Sequence, residues 1–420
     1  MPLGITRLKR TFQGIFLLTL GCAAMISCAN NNYYQPTPGQ PITTPISFRA
    51  FVSNPLSVTA SGAAAPGLNI IDAQHDLMSA SSVDLSAVQN AGMMALSPDR
   101  TLTLVASPTT GSVAIVNNGQ ASLQSTITLP GVSQSMFIWV DNATGFAAVP
   151  TAPVSTAQGP APGAVFVMNL SSSSAGVTAT IPVVGARYIV ESHNGNRILA
   201  FGSNSQTVTV ISTSQIATSS DPRAAISSPS FDHPVWGIFS SDDTTAYVLN
   251  CGPECGGSAA SVAVLDMTQS PPQIVATIPV PAATYGLLTG ANLYVAGTSA
   301  TGGGLSVISV SSNTVENSVS IPISDGYHNR MQLTPSGQLF IGARGCGGGC
   351  LSIFNTATSV AVIPQATGDV TGIQPITGRT VVYVCQNGVL NIYDTTTDAL
   401  QATQLDVVGQ AVDVELPDTP

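Results

Sequence analysis

Four short β-rich runs separated by turn residues recur along most of the chain, and this recurrence limits its fold more than any single motif. The clearest unit comprises Trp236 to Ser240, a turn at Asp242 and Asp243, Ala246 to Asn250, a loop, Ser261 to Asp266, and Ile274 to Val280. Runs like its second strand begin at Phe51, Leu102, Phe146, Ile198, Tyr247, Tyr294, Phe340 and Tyr383. Runs like its third begin at Leu68, Val113, Val165, Val208, Val262, Leu305, Leu351 and Leu390. First strands begin at Met93, Met136, Tyr188, Trp236, Tyr285, Arg330 and Gly372, roughly forty to fifty residues apart, the spacing of a four-stranded propeller blade.

The two ends of the repeat supply an independent check. The first unit, about residues 46–86, has strands two, three and four with no first strand before it. Gln410 to Leu416 is a first strand with nothing after it. Pairing the two completes one blade and removes both free sheet edges. The expectation is an all-β propeller of eight four-stranded blades spanning 46–420, with seven blades and one irregular unit as the alternative.

Composition agrees with this architecture. Charged residues make up only 8% of the chain, against about a quarter in an average protein, because strands held between two blades bury both faces. After residue 27, eight bases face 21 acids, a balance of −13, and Lys9 is the only lysine. Such a surface cannot neutralise a row of phosphates, so no nucleic-acid partner is expected. Aromatics, at 5%, are too sparse for the girdles of a transmembrane barrel.

Tyr247 to Asn250 followed by Ser261 to Asp266, and Ser97-Pro98-Asp99 ahead of a strand, resemble the YVTN-type β-propeller repeat of prokaryotic surface and periplasmic proteins. In that repeat a Ser-Pro-Asp-Gly turn precedes Tyr-Val-x-Asn. Here each copy is degenerate, and Arg100 stands where the turn glycine belongs. The resemblance spans nearly all of 46–416 and implies the fold; it implies no single function, since such propellers resemble both scaffolds and enzymes.

Residues 1–27 read as an export signal: Arg7, Lys9 and Arg10 lead into an apolar run from Phe12 to Ile26. Met25-Ile26-Ser27-Cys28 resembles a bacterial lipoprotein box, which makes Cys28 the expected lipidation site. Thr19 to Cys22 is a poorer match, and an uncleaved anchor or plain secretory signal is the alternative. Residues 28–45, rich in Asn and Pro, read as an uncharged tether. The expected location is the bacterial cell envelope, outside the cytoplasm, with the membrane reached through the lipid.

Cys251 and Cys255, and Cys346 and Cys350, each fall between the second and third strands of a blade. In an exported chain they are expected to form two local disulfides. A zinc site using all four thiolates is the alternative, and it would have to pull across the blade between them. Cys385 sits within a second strand and reads as a buried thiol.

His75 and His193 fall in or beside turns. His233 and His328 precede first strands, the innermost strands of a propeller. The loop before the first strand and the loop between the second and third open on one face. One rim is therefore expected to gather Arg187, Tyr188, Asp232, His233, Trp236, Tyr285, Asp325, Tyr327, His328 and Arg330, with both cysteine loops and the Pro150–Gly163 insertion. For Trp236 and Tyr285, packing between blades is the competing reading. Asp72, Asp266 and Asp394 end third strands, where a carboxylate caps the following turn. The four glutamates are scattered, and no Ser-His-Asp order, HExxH or phosphate loop is present. No catalytic residue, metal set or cofactor is expected. The sequence points to a binding or scaffolding module whose mouth takes a protein, a glycan or a small molecule. The alternative is a lactonase or quinoprotein-type enzyme centred on His233, His328 and Arg330.

Overall fold

The computed structural model describes residues 46–58, 62–156, 159–219, 221–227, 230–402 and 405–419. The expected signal, Cys28 and the tether lie outside the described residues. The rest is an all-β ring of eight antiparallel sheets. Blades 2 to 8 are each built in chain order, beginning with inner strands Met94–Leu96, Ser135–Ile138, Ala186–Glu191, Pro234–Phe239, Tyr285–Thr289, Tyr327–Leu333 and Val370–Pro375. Blade 1 takes its inner strand, Asp413–Glu415, from the C-terminal end and its other three from Arg49–Val58, Ala64–Asp72 and Leu77–Asp84. Phe51 pairs with Glu415 and Ser53 with Asp413, so the ring closes as its two ends predict. In blade 6 the outermost strand is split, Thr314–Val315 and Ile321–Pro322 both pairing with Gly302–Ser309.

The hydrophobic core is divided among the blade interfaces. The described residues form eight buried apolar clusters, and each draws on two neighbouring blades. Second strands feed two clusters at once: Tyr247 and Leu249 face blade 6, while Val248 between them faces blade 4. The alternation of side chains along a strand requires this. It also explains why charge is so rare, since only outer strands such as Gln273–Pro279 alternate toward solvent.

Turns between first and second strands use short polar side chains in place of a core. Ser97 Oγ donates to Asp99 Oδ1 at 2.7 Å and accepts from Leu102 N, and Ser240 does the same with Asp242 and Thr245 N. Arg100 adopts φ 61° at the glycine position of this turn, a left-handed conformation that non-glycine residues avoid. Its guanidinium offsets the strain by donating to the carbonyls of Leu416 and Asp418, both at 3.0 Å, and so holds the closing strand. At third-strand ends Asp72, Asp266 and Asp394 accept from backbone N–H groups two residues on, as expected of turn caps.

The Pro150–Gly163 insertion is not an isolated loop. It lengthens the two middle strands of blade 3 into an arm, Thr144–Thr156 paired with Gly159–Asn169.

Candidate functional site

The inner strands of blades 4, 5, 7 and 8 carry a bulge at the same place, where Arg187, Val235, Asn329 and Thr371 have no partner in the ladder. Pairing resumes with Tyr188, Trp236, Arg330 and Gly372. Blade 6 presents Tyr285 and blade 1 presents Asp413 at the corresponding register. One row around the central channel therefore reads Tyr188, Trp236, Tyr285, Arg330, Gly372, Asp413. Bulges re-aim side chains next to functional sites in many sheets.

Within this row aromatics meet each other and charges meet each other. Tyr188 stands edge-on to Trp236 at 5.9 Å, and Trp236 lies against Tyr285 at 4.6 Å between centroids. All three rings also cap interblade clusters, so packing between blades and lining the channel are both true of them. Arg330 Nη2 stands 3.8 Å from Asp413 Oδ2, with its side chain 28% exposed to the channel. The two come from blades 7 and 1 and meet because blade 8 contributes Gly372 between them. A Cβ there would fall 2.7 Å from Asp413 Oδ1. Asp413 also accepts from the backbone N–H of Met94 and of Val414.

Burial dominates the electrostatics of this stretch. It pushes the Asp413 carboxyl up despite the pull of Arg330 and the backbone donors. Burial, reinforced by the Asp413 charge, raises Glu415 from its ordinary 4.5 to about 8. Burial opposes the charge on Arg330, yet Asp413 and its other neighbours hold its pKa above the ordinary value. Because native Glu415 keeps its proton to higher pH than the unfolded chain does, its contribution to stability is complete below about pH 4.5. That contribution is lost as pH rises toward 8. Glu415→Gln is expected to flatten this dependence, so that the melting temperature falls less between pH 5 and 9 than in the wild type. Thermal melts across that range check it, and an unchanged slope would remove Glu415 as the cause.

Above the row, residues from opposite sides of the ring touch. Arg187 of blade 4 lies over the rings of Tyr188 and of Tyr327 from blade 7, at 5.3 and 5.7 Å. The Tyr327 hydroxyl donates to that of Tyr188 at 3.5 Å. Blades 4 and 7 are three apart, so this contact spans the channel mouth. Burial and the adjacent Tyr188 push the Tyr327 phenol far up, so it stays a hydroxyl. Beside the contact is a small cleft of about 50 Å3, open to solvent and lined by Arg187, Tyr188, Asn204, His233 and Tyr327 among others.

Both cysteine pairs are disulfides, with Cα atoms 5.6 Å apart in each. This matches bridging geometry, and among the described residues Cys385 is the free, buried thiol. Among the described residues no group of three or more His, Cys, Asp or Glu is placed to hold a metal. The Cys251–Cys255 loop presents Glu254 to the neighbouring blade, where Oε2 accepts from Thr284 Oγ1 and Thr298 N. Its Oε1 is buried without a partner, and burial raises its pKa. Asp232 accepts from Ser258 N, Ser258 Oγ and Ala259 N of the same loop. Its desolvation is outweighed by the His233 contact and these donors, which hold its carboxyl well below the usual range. Asp325 plays the same part for the second loop, accepting from Gly347 N at 3.2 Å.

One rim residue is displaced from its expected place. His328 is fully buried; its Nε2 donates to the Ser324 carbonyl at 3.1 Å and its Nδ1 has no partner. Burial pushes its pKa down to about 4. The residue just before the bulge is buried in every bulged blade, where Ala186, Pro234 and Val370 hold the same position. His233 comes one residue earlier than that position and does line the cleft. His233 and His328 therefore do not share a pocket. Conversely, Asp413, Glu415, Arg344 and Glu254 belong to the mouth and were not singled out by sequence. The closing strand is an inner strand, and that alone would have placed Asp413 in the channel row.

No protein-family model matches the sequence, and no curated protein matches it either. Solved structures do. The chain is similar to the dihydro-heme d1 dehydrogenase NirN, at 13% identity over 91% of this chain and 78% of that one, with a TM-score of 0.64. It is similar to the periplasmic gluconolactonase PpgL of Pseudomonas aeruginosa, at 14% identity over 89% and 99%, TM-score 0.51. It also resembles the hydrazine synthase of Kuenenia stuttgartiensis, at 14% identity over 76% and 96%, TM-score 0.55. At this identity the likeness shows the β-propeller fold alone.

Proposed function

We propose that this chain is an extracytoplasmic, lipid-anchored propeller of the YVTN kind whose channel mouth binds a ligand. The carrying observation is the contact of Arg187, Tyr188 and Tyr327 across the mouth. It assembles charge, hydroxyls and aromatic surface from two distant blades at one concave site, as small-ligand sites generally do. Disulfides hold the flanking loops, and the likeness to a periplasmic propeller supports a place outside the cytoplasm. Cys28 would carry the lipid.

The experiment is a thermal-shift screen of the full-length protein against small-molecule and glycan fractions from bacterial envelopes. A fraction that raises the melting temperature of the wild type but not of Trp236→Ala or Tyr327→Ala supports the mouth. A fraction that shifts wild type and variants equally overturns it. The likeness to gluconolactonases favours a second, enzymatic reading. With His328 buried, such an enzyme would draw on His233, Arg330 and Asp413. Hydrolysis of glucono-δ-lactone by the wild type, lost in Arg330→Met while folding is retained, would decide for it.

A further inference from the structure

We propose that the channel mouth selects a small organic anion, a carboxylate or phosphate ester, through the guanidinium groups of Arg187, Arg330 and Arg344. This rests on the mouth being a binding site and adds the class of ligand.

The chain beyond residue 27 has eight arginines and no lysine, so its positive charges can be followed one by one. Arg49 is bonded to Asp418, Arg223 to Asp221 and Arg379 to Asp76, each within 2.6 Å. Arg100 is held by backbone carbonyls. Arg197 begins the second strand of blade 4, at the end away from the mouth. The remaining three converge on the mouth. Among the described residues Arg187 and Arg344 form no ion pair, and Arg330 reaches only the 3.8 Å contact with Asp413. Where the residues after 27 carry −13, leaving three guanidinium groups so weakly paired at one opening is a concentrated exception.

Among the described residues Asp413 alone comes within ion-pair distance of one of these arginines; the other carboxylates bonded at the rim are engaged elsewhere. Asp232 and Asp325 accept from the backbone of the two disulfide loops. Asp369 accepts from Gly345 N at 2.7 Å, and Glu254 is bonded to Thr284 and Thr298. Each fastens a loop of the rim. The arginines instead rest on aromatic rings and an amide. Arg187 sits over Tyr188 and Tyr327. With the Asn329 amide oxygen turned toward it, Arg344 Nε donates there at 2.7 Å. These contacts orient a guanidinium without neutralising it.

Arg344 is held below its ordinary pKa first by burial and then by the like charge of Arg330. An anion between them would offset the like charge. Guanidinium forks match carboxylate and phosphate oxygens two at a time, and the Tyr188 hydroxyl, which accepts from Tyr327, keeps its own O–H to donate. A concave mouth with low-dielectric walls focuses this field even where the whole chain is acidic.

Isothermal titration of the full-length protein with sodium glucuronate, glucose 6-phosphate and glucose tests the proposal. The expected result is that one of the two anions binds and glucose does not. Affinity should fall at least ten-fold in Arg187→Gln or Arg344→Gln, and also between 50 and 500 mM salt, since screening weakens such contacts. Absence of binding by both anions, equal binding of glucose, or affinity unchanged in both variants would overturn it. Glucose binding that disappears in Trp236→Ala would sink the anion and keep the mouth, whereas binding indifferent to every mouth variant would sink both. A ligand-free measurement stands beside it. In Trp139→Phe, which leaves Trp236 as the one tryptophan, iodide should quench more strongly than caesium. That excess should drop at least two-fold in Arg344→Gln, and equal quenching by the two ions would contradict the electropositive mouth.

Discussion

A chain ending at Gly409 is expected to show no cooperative thermal transition and to elute as aggregate. Removing residues 410–420 strips blade 1 of Asp413–Glu415 and exposes the ladder edge of Phe51, Val52 and Ser53. Val414 and Leu416, each 2% exposed, contribute about 1.5–3 kcal/mol apiece by burial. The deletion also removes the 2.6 Å pair between Arg49 and Asp418 and leaves Arg330 without its carboxylate. Together these losses approach the whole stability of an ordinary domain, about 5–15 kcal/mol, and the bare edge invites pairing with another copy. Circular dichroism melts and size-exclusion chromatography check the result. A truncated monomer melting within 2 °C of the full chain, in the sense of order, would show that the ring does not depend on this joint.

Arg330→Met is expected to cost about 1–3 kcal/mol at neutral pH. Asp413 is buried while Arg330 is 28% exposed and 3.8 Å away, so the desolvated carboxylate loses only a partial partner. The loss should shrink in acid. Asp413 already holds its proton more tightly than a free aspartate, and without Arg330 it would hold it more tightly still. The variant's deficit is thus present where the carboxylate is forced to ionise and fades as pH falls and it becomes neutral. Arg330→Met combined with Asp413→Asn should recover most of the stability. Denaturant unfolding at pH 5 and pH 8 for the two single variants and the double completes the cycle. A double variant as unstable as the sum of the singles would mean that the pair does not interact across Gly372.

Most of the fold was legible because propeller strands bury both faces, which leaves apolar runs such as Tyr247 to Asn250 and Tyr383 to Gln386 at regular intervals. The closing strand was legible because the first unit lacked one. The mouth was harder to read. Arg330 and Asp413 lie on blades 7 and 1 and meet only because blade 8 offers no side chain at Gly372, a relation that local sequence does not carry. His328 was misjudged for a different reason. The bulge at Asn329 resets the alternation of its strand, so that His328 faces inward while Tyr327 and Arg330 remain at the mouth. The recurrence of small or apolar residues at the same position, Ala186, Pro234 and Val370, was the available clue.

The pairing of the two ends within blade 1 has a mechanical side. Any pull on the chain before residue 46 arrives at Arg49–Val58, which is bonded to Ala64–Asp72 on one side and to Asp413–Glu415 on the other. The load runs along the strand, so the rungs on both sides resist it together and cannot be opened one at a time. Arg49, gripping Asp418 at the point where the force enters, acts as the first stop. The joint that closes the ring is thereby also the one best oriented to hold it under tension.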